Sequence, residues 1–519
     1  MTREIALFNG GVNNLIDAHL IADNESPISI NADFQSGSLK SQRSKRETTT
    51  TISGKYGFYY KEQNQLITTD EDRFFVEFGG FLYWSNSAGI MKRYDGTTTS
   101  DLGNHAAPTT ALGAAAGSPG LLNGTYWYTY TYVHDDLFES PPAGYVKVTL
   151  TDTEANITFS DSPPGTATQR KLYRSGGLNP SFNLVATIPI ATTAYTDSIY
   201  DFFISREELT THLHDAPPAN LDMLVQQNGT FFGALGNKVY FSLEGQPEYW
   251  SAYNFVPVPQ TITGLGVIGN GIVIFTADSM YLLSGSNMSN ISLNKLPYNY
   301  GCKDKRSVQN LAGRLIWLST IDDNDAILSF DGANAVVLTK TATNFNAPVI
   351  GESCFDDYST EVYSTFNYDF KNSAAVHNKY YLFTNGRTII IDFQDNGKIK
   401  YATDTIDSAY LKQGSFFTIE GGKEYEYYPD YSNYRSISYR TKQFHDGTFT
   451  QTKAYRVVRV NATGNYQVIV LVDDKEIITT ITDKIYLPQG TVGKHISFLI
   501  KTTEFAKVKA VAYDYEVLK

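Results

Sequence analysis

Apolar strands alternate with short polar turns three times between Leu221 and Lys340. Each repeat consists of a glycine turn, an apolar strand, a polar turn, a second apolar strand and a closing turn. The paired runs are 227–233 with 238–242, 272–276 with 279–283, and 314–318 with 326–330. A repeat of roughly 40 residues is typical of propeller blades. Nearly continuous apolar runs predict sheets covered on both faces, so each repeat requires neighbours.

Further units bring this repeat to six. Residues 51–105 contain apolar runs that end at Asp95-Gly96. The same dipeptide, Asp331-Gly332, ends a later unit. Asp-Gly closes tight turns because glycine tolerates a positive φ. Strand pairs recur within 377–397 and 414–428. We therefore predict a six-bladed β-propeller, with the first blade in 51–105 and the remaining blades in 217–432. Closure would place the last blade beside the first and remove open sheet edges.

The repeat is interrupted by residues 106–216, which predict a linker followed by an inserted domain. Ala106–Gly120 is rich in small, uncharged residues and is expected to be an extended linker. Gly124–Val133 then alternates threonine with aromatic residues over most of its length. About six short strands follow in this region, a pattern typical of a small β-sandwich of the fibronectin or immunoglobulin kind.

Both ends of the chain differ from the repeat. Residues 1–50 predict an N-terminal arm and first strands, including a short alternating strand at 28–31. The basic cluster of residues 1–50 is most simply interpreted as a solvated face. In the alternative interpretation, residues 1–50 form an arm that docks on a neighbouring subunit or a connector. Residues 433–519 predict a C-terminal β-rich module, sandwich-like or jelly-roll-like. The basic cluster consists of Lys40, Arg43, Lys45 and Arg46.

Composition supports an all-β architecture and reduces the number of functional classes that fit the chain. The chain has 519 residues with 37 Tyr, 30 Phe and 40 Gly, enough for several cores, and no long helical periodicity, so the predicted class is all-β. A net charge of −12 argues against coating nucleic acid through a basic surface, but is compatible with DNA passing through an acidic channel. No apolar run of membrane-spanning length and no secretory signal is expected. Cys302 and Cys354 predict structural thiols in a reducing compartment.

Candidate chemistry is sparse. Gly264–Gly269 matches a dinucleotide fingerprint in letters, but a β-rich run follows where a helix is needed, so a strand is predicted. Asp322, Asp323, Asn324 and Asp325 lack the glycine and glutamate of a calcium loop and predict a solvated turn, with adventitious cation binding as the alternative. The eight histidines show no metal spacing, and no nucleophile elbow or sialidase-type Asp box occurs. We expect no enzyme, no cofactor, and no catalytic, cofactor-binding or metal residues.

Several short motifs, in a shared order, resemble the tail nozzle (tail tubular protein B, or packaged-DNA-stabilisation) family of short-tailed bacteriophages. The likeness covers most of residues 1–345 and is looser in the C-terminal module. The motifs are Phe8–Val12 with Asn31, Asp33, Gly37 and Leu39; Glu139–Pro142; Lys171–Ser175; Gly236–Ser242; Pro247–Trp250; Ile262–Leu265; Gly301-Cys302 with Ser307-Val308; and Phe330–Gly332.

This resemblance implies a structural protein of the virion tail, made in the host cytoplasm. Such subunits form a ring, usually a hexamer, below the portal and adaptor proteins of the head–tail connector. The ring retains packaged double-stranded DNA, gives it a channel for ejection without sequence-specific binding, and carries tail fibres or a needle. No membrane span is implied.

Two other classes of protein remain open. A carbohydrate-binding or host-adhesion propeller would use exposed aromatic rings as sugar platforms, and Trp84, Trp127, Trp250 and Trp317 are the candidates. Three of the four lie in predicted apolar strands, which favours core packing. A fibre-like host-recognition protein is the third class, but collagen-like and heptad repeats are lacking.

Overall fold

The computed structural model describes most of the chain as β-strands joined by turns and short 3-10 segments, so the protein is all-β. It divides into two compact units: Met1–Asp72, Thr263–Leu283 and Asn294–Lys519 form one, and Arg73–Ile262 with Ser284–Leu293 forms the other. The described residues are 1–8, 11–12, 20–33, 37–41, 44–71, 73–103, 105–269, 271–285, 289–321, 324–339, 369–395, 398–427, 434–447, 450–502 and 504–518.

A unit of four antiparallel strands recurs six times within the described ranges, and we number these units sheets 1 to 6. Five of them are separate four-stranded sheets, whereas sheet 5 is the first part of a nine-stranded sheet that continues through Ile28–Ile30 into strands of the C-terminal module. Sheets 1 and 2 lie in the second compact unit, and sheets 4 to 6 lie in the first, as does most of sheet 3. In order from sheet 1 to sheet 6, with one sheet between each pair of semicolons, the strands are Phe75–Phe78, Phe81–Trp84, Lys92–Tyr94 and Thr99–Asp101; Asp222–Gln227, Thr230–Leu235, Lys238–Phe241 and Phe255–Pro257; Gly264–Ile268, Gly271–Phe275, Met280–Ser284 and Ser292–Lys295; Gln309–Leu311, Arg314–Ile321, Asn324–Phe330 and Ala335–Val337; Phe370–Val376, Lys379–Thr384, Thr388–Asp392 and Lys398–Ala402; and Ser408–Lys412, Ser415–Glu420, Lys423–Tyr427 and Arg46–Thr51.

The second strands of sheets 2 to 5 are buried on both faces over most of their length, as their apolar runs predict. In sheet 4, Leu315 and Trp317 belong to a core shared with sheet 3, whereas Ile316 and Leu318 belong to a core shared with sheet 5. Successive side chains of a strand point to opposite faces, so one continuous apolar run supplies two cores. Sheets 5 and 6 share a third core, and sheets 1 and 2 share a fourth.

The dipeptides Asp95-Gly96 and Asp331-Gly332 form the same type of turn in two sheets. Asp95 and Asp331 each follow the third strand of their sheet, and one carboxylate oxygen accepts the backbone N–H groups two and three residues later, at 2.7 to 2.9 Å. These hydrogen bonds lower the pKa of both carboxyl groups. Gly96 and Gly332 follow with φ values of 99° and 98°. The local sequence therefore specifies this turn.

The Gly-x-Gly run of sheet 3 is part of a hairpin, Gly264–Ile268 paired with Gly271–Phe275. A Cβ at Gly264 would lie 3.1 Å from Cys302 Sγ, and a Cβ at Gly266 would lie 2.8 Å from both Leu315 and Val308. These glycines allow close packing of sheet 3 against its neighbour, which accounts for the spacing without any ligand.

The inserted domain differs from the predicted set of short strands. Its strands form one six-stranded sheet, in which the 22-residue strand Gly113–His134 includes half of the expected linker. Irregularities between Ala116 and Gly124 bend this strand, so that both of its halves pair with Val146–Thr158. Small residues carry no hydrophobic period, which is why the sequence suggested a linker. The other strands are Phe138–Glu139, Ala167–Gly176, Asn179–Pro189 and Ala194–Asp197, with 3-10 turns at Asp201–Phe203 and Thr211–Leu213.

The N-terminal segment is built into the C-terminal module rather than lying apart as an arm. Thr2–Ile5 and Leu39–Ser41 pair with Ala506–Val517, and Ile28–Ile30 pairs with Ile437–Arg440. Side chains from both termini share one core, as in a two-sheet sandwich. The remaining strands of the first unit are Gly11–Val12, Glu25–Ser26, Ala32–Asp33, Tyr56–Tyr60, Gln65–Thr69, Lys453–Gly464, Gln467–Val472, Lys475–Thr480, Lys484–Tyr486, Val492–Gly493 and Ile496–Thr502, with 3-10 turns at Lys305–Ser307 and Phe393–Asp395.

Two consequences concern the predicted boundaries. Residues 56–69 form a separate hairpin, so the first sheet begins at Phe75 and not near residue 51. Arg46–Thr51 pairs with Lys423–Tyr427 and completes sheet 6. Lys45 and Arg46 of the basic cluster form ion pairs with Glu420 and Glu426, so part of that cluster is paired within the chain.

Candidate interaction surface

Large apolar side chains are exposed together at one end of the inserted domain, and we call this set the tip patch. An open groove of about 590 Å³ lies among four of them, and the other two continue it through ring contacts with Tyr200 and with each other. Phe202 and Phe203 are 78% and 76% exposed. The six residues are Leu121, Trp127, Leu178, Tyr200, Phe202 and Phe203.

One buried aspartate holds the turn that presents the tip patch. The Asp201 carboxylate accepts hydrogen bonds from Tyr126 Oη at 3.1 Å, Leu178 N at 3.2 Å and Arg174 Nη2 at 3.0 Å. Asn179 Nδ2 donates to the Asp201 carbonyl at 3.0 Å. Because Asp201 faces inward with these partners, the residues on either side of it face solvent.

Arg174 lies beneath this turn and is 1% exposed. Its guanidinium binds Asp201 and also donates to Asp197 Oδ2 at 2.6 Å, an atom that also accepts from Tyr128 Oη at 2.8 Å. Burial works against the charge of Arg174, but the two carboxylates and Tyr128 outweigh it, so its pKa is raised. Burial beside Asp201 also raises the pKa of Tyr126 to about 12. The patch therefore rests on a buried, paired charge network.

Two glycines complete the groove. Gly176 and Gly177 have φ values of 114° and 59°. A Cβ at these positions would lie 2.2 Å from the Thr125 carbonyl oxygen and 1.9 Å from Asp201 Oδ2, respectively. A side chain at either position would displace the turn that carries the patch.

The groove is almost uncharged. Of the residues that line it, Asp201 alone is ionisable at neutral pH, and it is buried. Lys147 lies at the rim, with Nζ 5.8 Å from the centre of the Trp127 ring. The remaining lining groups are apolar side chains, Asn123, Thr125, Tyr126 and glycine backbone.

The opposite end of the inserted domain, which we call the root, joins sheets 1 and 2 through Glu248. This carboxylate is 2% exposed and accepts hydrogen bonds from Arg93 Nη1 at 3.0 Å, His105 Nε2 at 3.0 Å and Gly103 N at 2.9 Å. The His105 ring stacks on Phe138 at 4.6 Å.

Tyr249 continues the root. Its ring stacks on His214 with centroids 3.6 Å apart, and its hydroxyl accepts from Glu139 N at 2.8 Å. His214 Nδ1 donates to the Glu139 carbonyl at 2.9 Å. Burial lowers the pKa of His214 and of His134, and the nearby His105 lowers that of His134 further.

The structure brings together three motifs that carry the family resemblance. Pro247–Trp250 forms the core of the root. Glu139, which belongs to the Glu139–Pro142 motif, contacts it through Tyr249. Glu139 Oε1 also accepts a hydrogen bond from Tyr173 Oη at 2.7 Å. Tyr173 precedes Arg174 in the Lys171–Ser175 motif. These residues therefore attach and support the inserted domain.

The four tryptophans have different environments. Trp250 and Trp317 are buried, Trp84 is half-buried, and Trp127 is exposed in the tip patch. The Tyr200–Phe203 segment was not singled out from the sequence. The signal available in the sequence was two consecutive phenylalanines outside any predicted strand.

Other candidates from the sequence are structural or fall outside the described residues. Cys302 is buried, and burial raises its pKa to about 12. Cys354, Asp322 and Asp323 lie outside the described residues. Across the described ranges, no group of three or more His, Cys, Asp or Glu side chains has a metal-binding arrangement. In the same ranges, no helix has the length and apolar character needed to cross a membrane.

Comparison with protein-family models and with curated proteins gave no match. Among solved structures, the chain is similar to the computationally designed Ika8 protein (10% identity, TM-score 0.26, 68% of this chain and 95% of that one). It is also similar to apo AztD from Citrobacter koseri (9%, 0.25, 62% and 93%) and to the Pan2 WD40 domain of Neurospora crassa (7%, 0.26, 63% and 91%). Scores this low carry no argument about fold or function.

Proposed function

We propose that this protein is a ring-forming structural subunit of a virion, the tail nozzle of a short-tailed bacteriophage. The observation that carries the proposal is the combination of six four-strand units with an inserted domain that presents an uncharged apolar patch. The order of the motifs in residues 1–345 supports the same family. In the virion, the subunit contacts the connector proteins above it and tail fibres or a needle around it.

The proposed fold is a six-bladed β-propeller. Consecutive sheets share cores within each compact unit, as blades do. The last sheet takes its fourth strand, Arg46–Thr51, from the N-terminal part of the chain. Propellers commonly avoid open edges in this way, because the ring then closes with paired strands.

The proposed role is to retain packaged DNA and to guide its ejection. A duplex carries about one negative charge per 1.7 Å of its axis, so a basic channel would hold it. The chain carries a net charge of −12. We expect a channel wall of acidic and neutral polar groups, along which DNA slides without sequence-specific contacts.

A second candidate is a carbohydrate-binding or adhesive propeller. It is favoured by Trp127 and Tyr200, two exposed aromatic rings beside one open groove. Exposed aromatic rings commonly serve as platforms in sugar-binding sites. The aliphatic and phenylalanine side chains of the same rim fit a protein partner better, so the nozzle remains our conclusion.

Solution mass and end-on images of the purified chain distinguish these functions. The nozzle predicts a particle of six subunits with six-fold symmetry and a central opening wide enough for duplex DNA. A monomer that binds glycans through Trp127, and that does not form rings, would overturn the proposal.

A further inference from the structure

We infer that residues 45–51, which we call the latch, are held on sheet 6 by charge and lift from it as the ionic strength rises, while the rest of the sheet stays folded. The latch supplies the fourth strand of sheet 6, Arg46–Thr51, which pairs with Lys423–Tyr427. These two strands are more than 370 residues apart along the chain. The latch is a property of sheet 6 and does not depend on assembly into a ring.

Neither a core nor a short connection keeps the latch in place. Its residues, Lys-Arg-Glu-Thr-Thr-Thr-Thr, include no apolar side chain, and five of the six in the strand are exposed. By contrast, the fourth strand of sheet 5 places Ile399 and Ala402 in two apolar cores. The fourth strands of sheets 1 to 5 also begin within 14 residues of the end of their third strands, so short loops keep them near their sheets.

Ion pairs and hydrogen bonds attach the latch instead. Thr48 Oγ1 donates a hydrogen bond to Glu424 Oε2 at 2.6 Å. Burial works against the charge of Glu424, but hydrogen bonds from Thr48 and Tyr410 outweigh it, so its pKa is lowered. The ion pairs join Lys45 to Glu420 and to Asp404, Arg46 to Glu426, and Glu47 to Lys423.

Salt weakens these attachments because several of the charges are exposed. The side chains of Arg46, Glu47 and Lys423 are 50%, 49% and 58% exposed. Charges act over about 8 Å at physiological ionic strength but over about 3 Å at 1 M salt. Exposed ion pairs contribute little once they are screened, whereas the apolar side chains under the other strands of sheet 6 do not depend on charge.

The latch lies between two apolar anchors, so it lifts as a loop between fixed ends. On one side, Leu39 is buried in the core of the C-terminal module. On the other side, Ile52 is buried against sheet 6, and its N–H donates to the Gly422 carbonyl at 3.2 Å. Opening uncovers the strand that carries Glu424 and Glu426, so the open state presents an acidic strand edge.

Hydrogen exchange of the full-length chain at about 0.05 M and about 1 M NaCl tests the latch. We expect the amides of Arg46–Thr51 to exchange at least about fivefold faster at the higher salt concentration, because the ion pairs are then screened. The amides of Ser415–Glu420, in the same sheet, should keep their rates. An unchanged rate in Arg46–Thr51, or an equal acceleration in both strands, would overturn the inference.

A charge exchange separates electrostatic attachment from other effects of salt. Arg46→Glu places like charges at Glu426, so we expect at least about fivefold faster exchange of the latch at low salt. Adding Glu426→Arg should restore the slow exchange, and circular dichroism checks that both variants fold. The matched control, Arg456→Gln, removes an exposed ion pair with Glu516 and should leave the latch unchanged. A double variant that stays as open as Arg46→Glu would show that charge does not hold the latch.

Discussion

The root of the inserted domain buries its polar groups, whereas the tip presents its apolar ones. At the root, Glu248, His105 and Tyr249 are buried with their hydrogen-bond partners, so this end is an attachment within the chain. At the tip, Arg174 and Asp201 are equally buried, yet the network they form holds phenylalanines in solvent. The same kind of buried ion pair therefore serves two purposes. At one end it joins two parts of the chain, and at the other it fixes the turn that exposes the apolar side chains of the tip patch.

The largest effect on assembly is expected from deleting the whole inserted domain, which removes its root and its tip together. From the proposed fold and function, we expect that deletion of 106–216 leaves the proposed propeller folded but unable to assemble into a ring. The excision is feasible because a Cβ at Gly103 would lie 2.6 Å from Pro217 and 2.9 Å from Ala216, so the chain enters and leaves the domain at one place. Near-UV circular dichroism, which reports on the buried Trp317 outside the inserted domain, checks the fold, and light scattering checks assembly.

Comparison with the double variant F202S/F203S, which replaces two exposed side chains of the tip patch, sharpens this result. Equal loss of assembly in both proteins would assign the effect to the tip. Intact hexamers after the deletion would show that the inserted domain has another role, such as attachment of fibres.

The next largest effect is expected for Arg174→Met. This change leaves the Asp197 and Asp201 carboxylates buried without their cation, which costs about 3–5 kcal/mol of folding free energy. Urea unfolding followed by hydrogen exchange in the inserted domain measures this loss. The triple variant with Asp197→Asn and Asp201→Asn should recover part of the stability, because no unpaired charge remains. A loss below about 1 kcal/mol for Arg174→Met would contradict this account of the tip.

Glu248→Gln should have a smaller effect, confined to the root. The change removes the charge that binds Arg93 and weakens the bonds from His105 and Gly103 N, so we expect a loss of about 1.5–3 kcal/mol. Glu244→Gln, at an exposed position of the same loop, is the control and should change stability by less than about 0.5 kcal/mol. Self-association should be less affected than in F202S/F203S. If Glu248→Gln abolished assembly while preserving the root, the distinction between the two ends would fail.

The smallest effect is a pH dependence of the root. Burial lowers the pKa of His134 and His214 from the ordinary value of 6.5, so the unfolded chain binds more protons than the folded one below that pH. Stability is therefore fully present above about pH 6.5 and decreases as the pH falls below it. Hydrogen exchange at pH 7.5 and pH 5 should show faster opening of the root at the lower pH. His134→Gln with His214→Gln should flatten this dependence, and an unchanged slope would contradict it.

Local patterns in the sequence determined the repeated part of this protein. Continuous apolar runs specified strands covered on both faces, and Asp95-Gly96 and Asp331-Gly332 specified the same turn twice, because each turn is made by bonds between residues at most three apart. The all-β class followed from the same patterns. Whether the six sheets close into one propeller stays a prediction.

Only the tertiary structure decided which strands meet and which side chains remain outside. The N-terminal strands pair with partners more than 370 residues away, and periodicity shows that a face is covered without showing what covers it. The same holds for the tip. Of the neighbours in Tyr200–Phe203, Asp201 turns inward because Arg174, 27 residues earlier, supplies a buried cation, and the phenylalanines face solvent as a result.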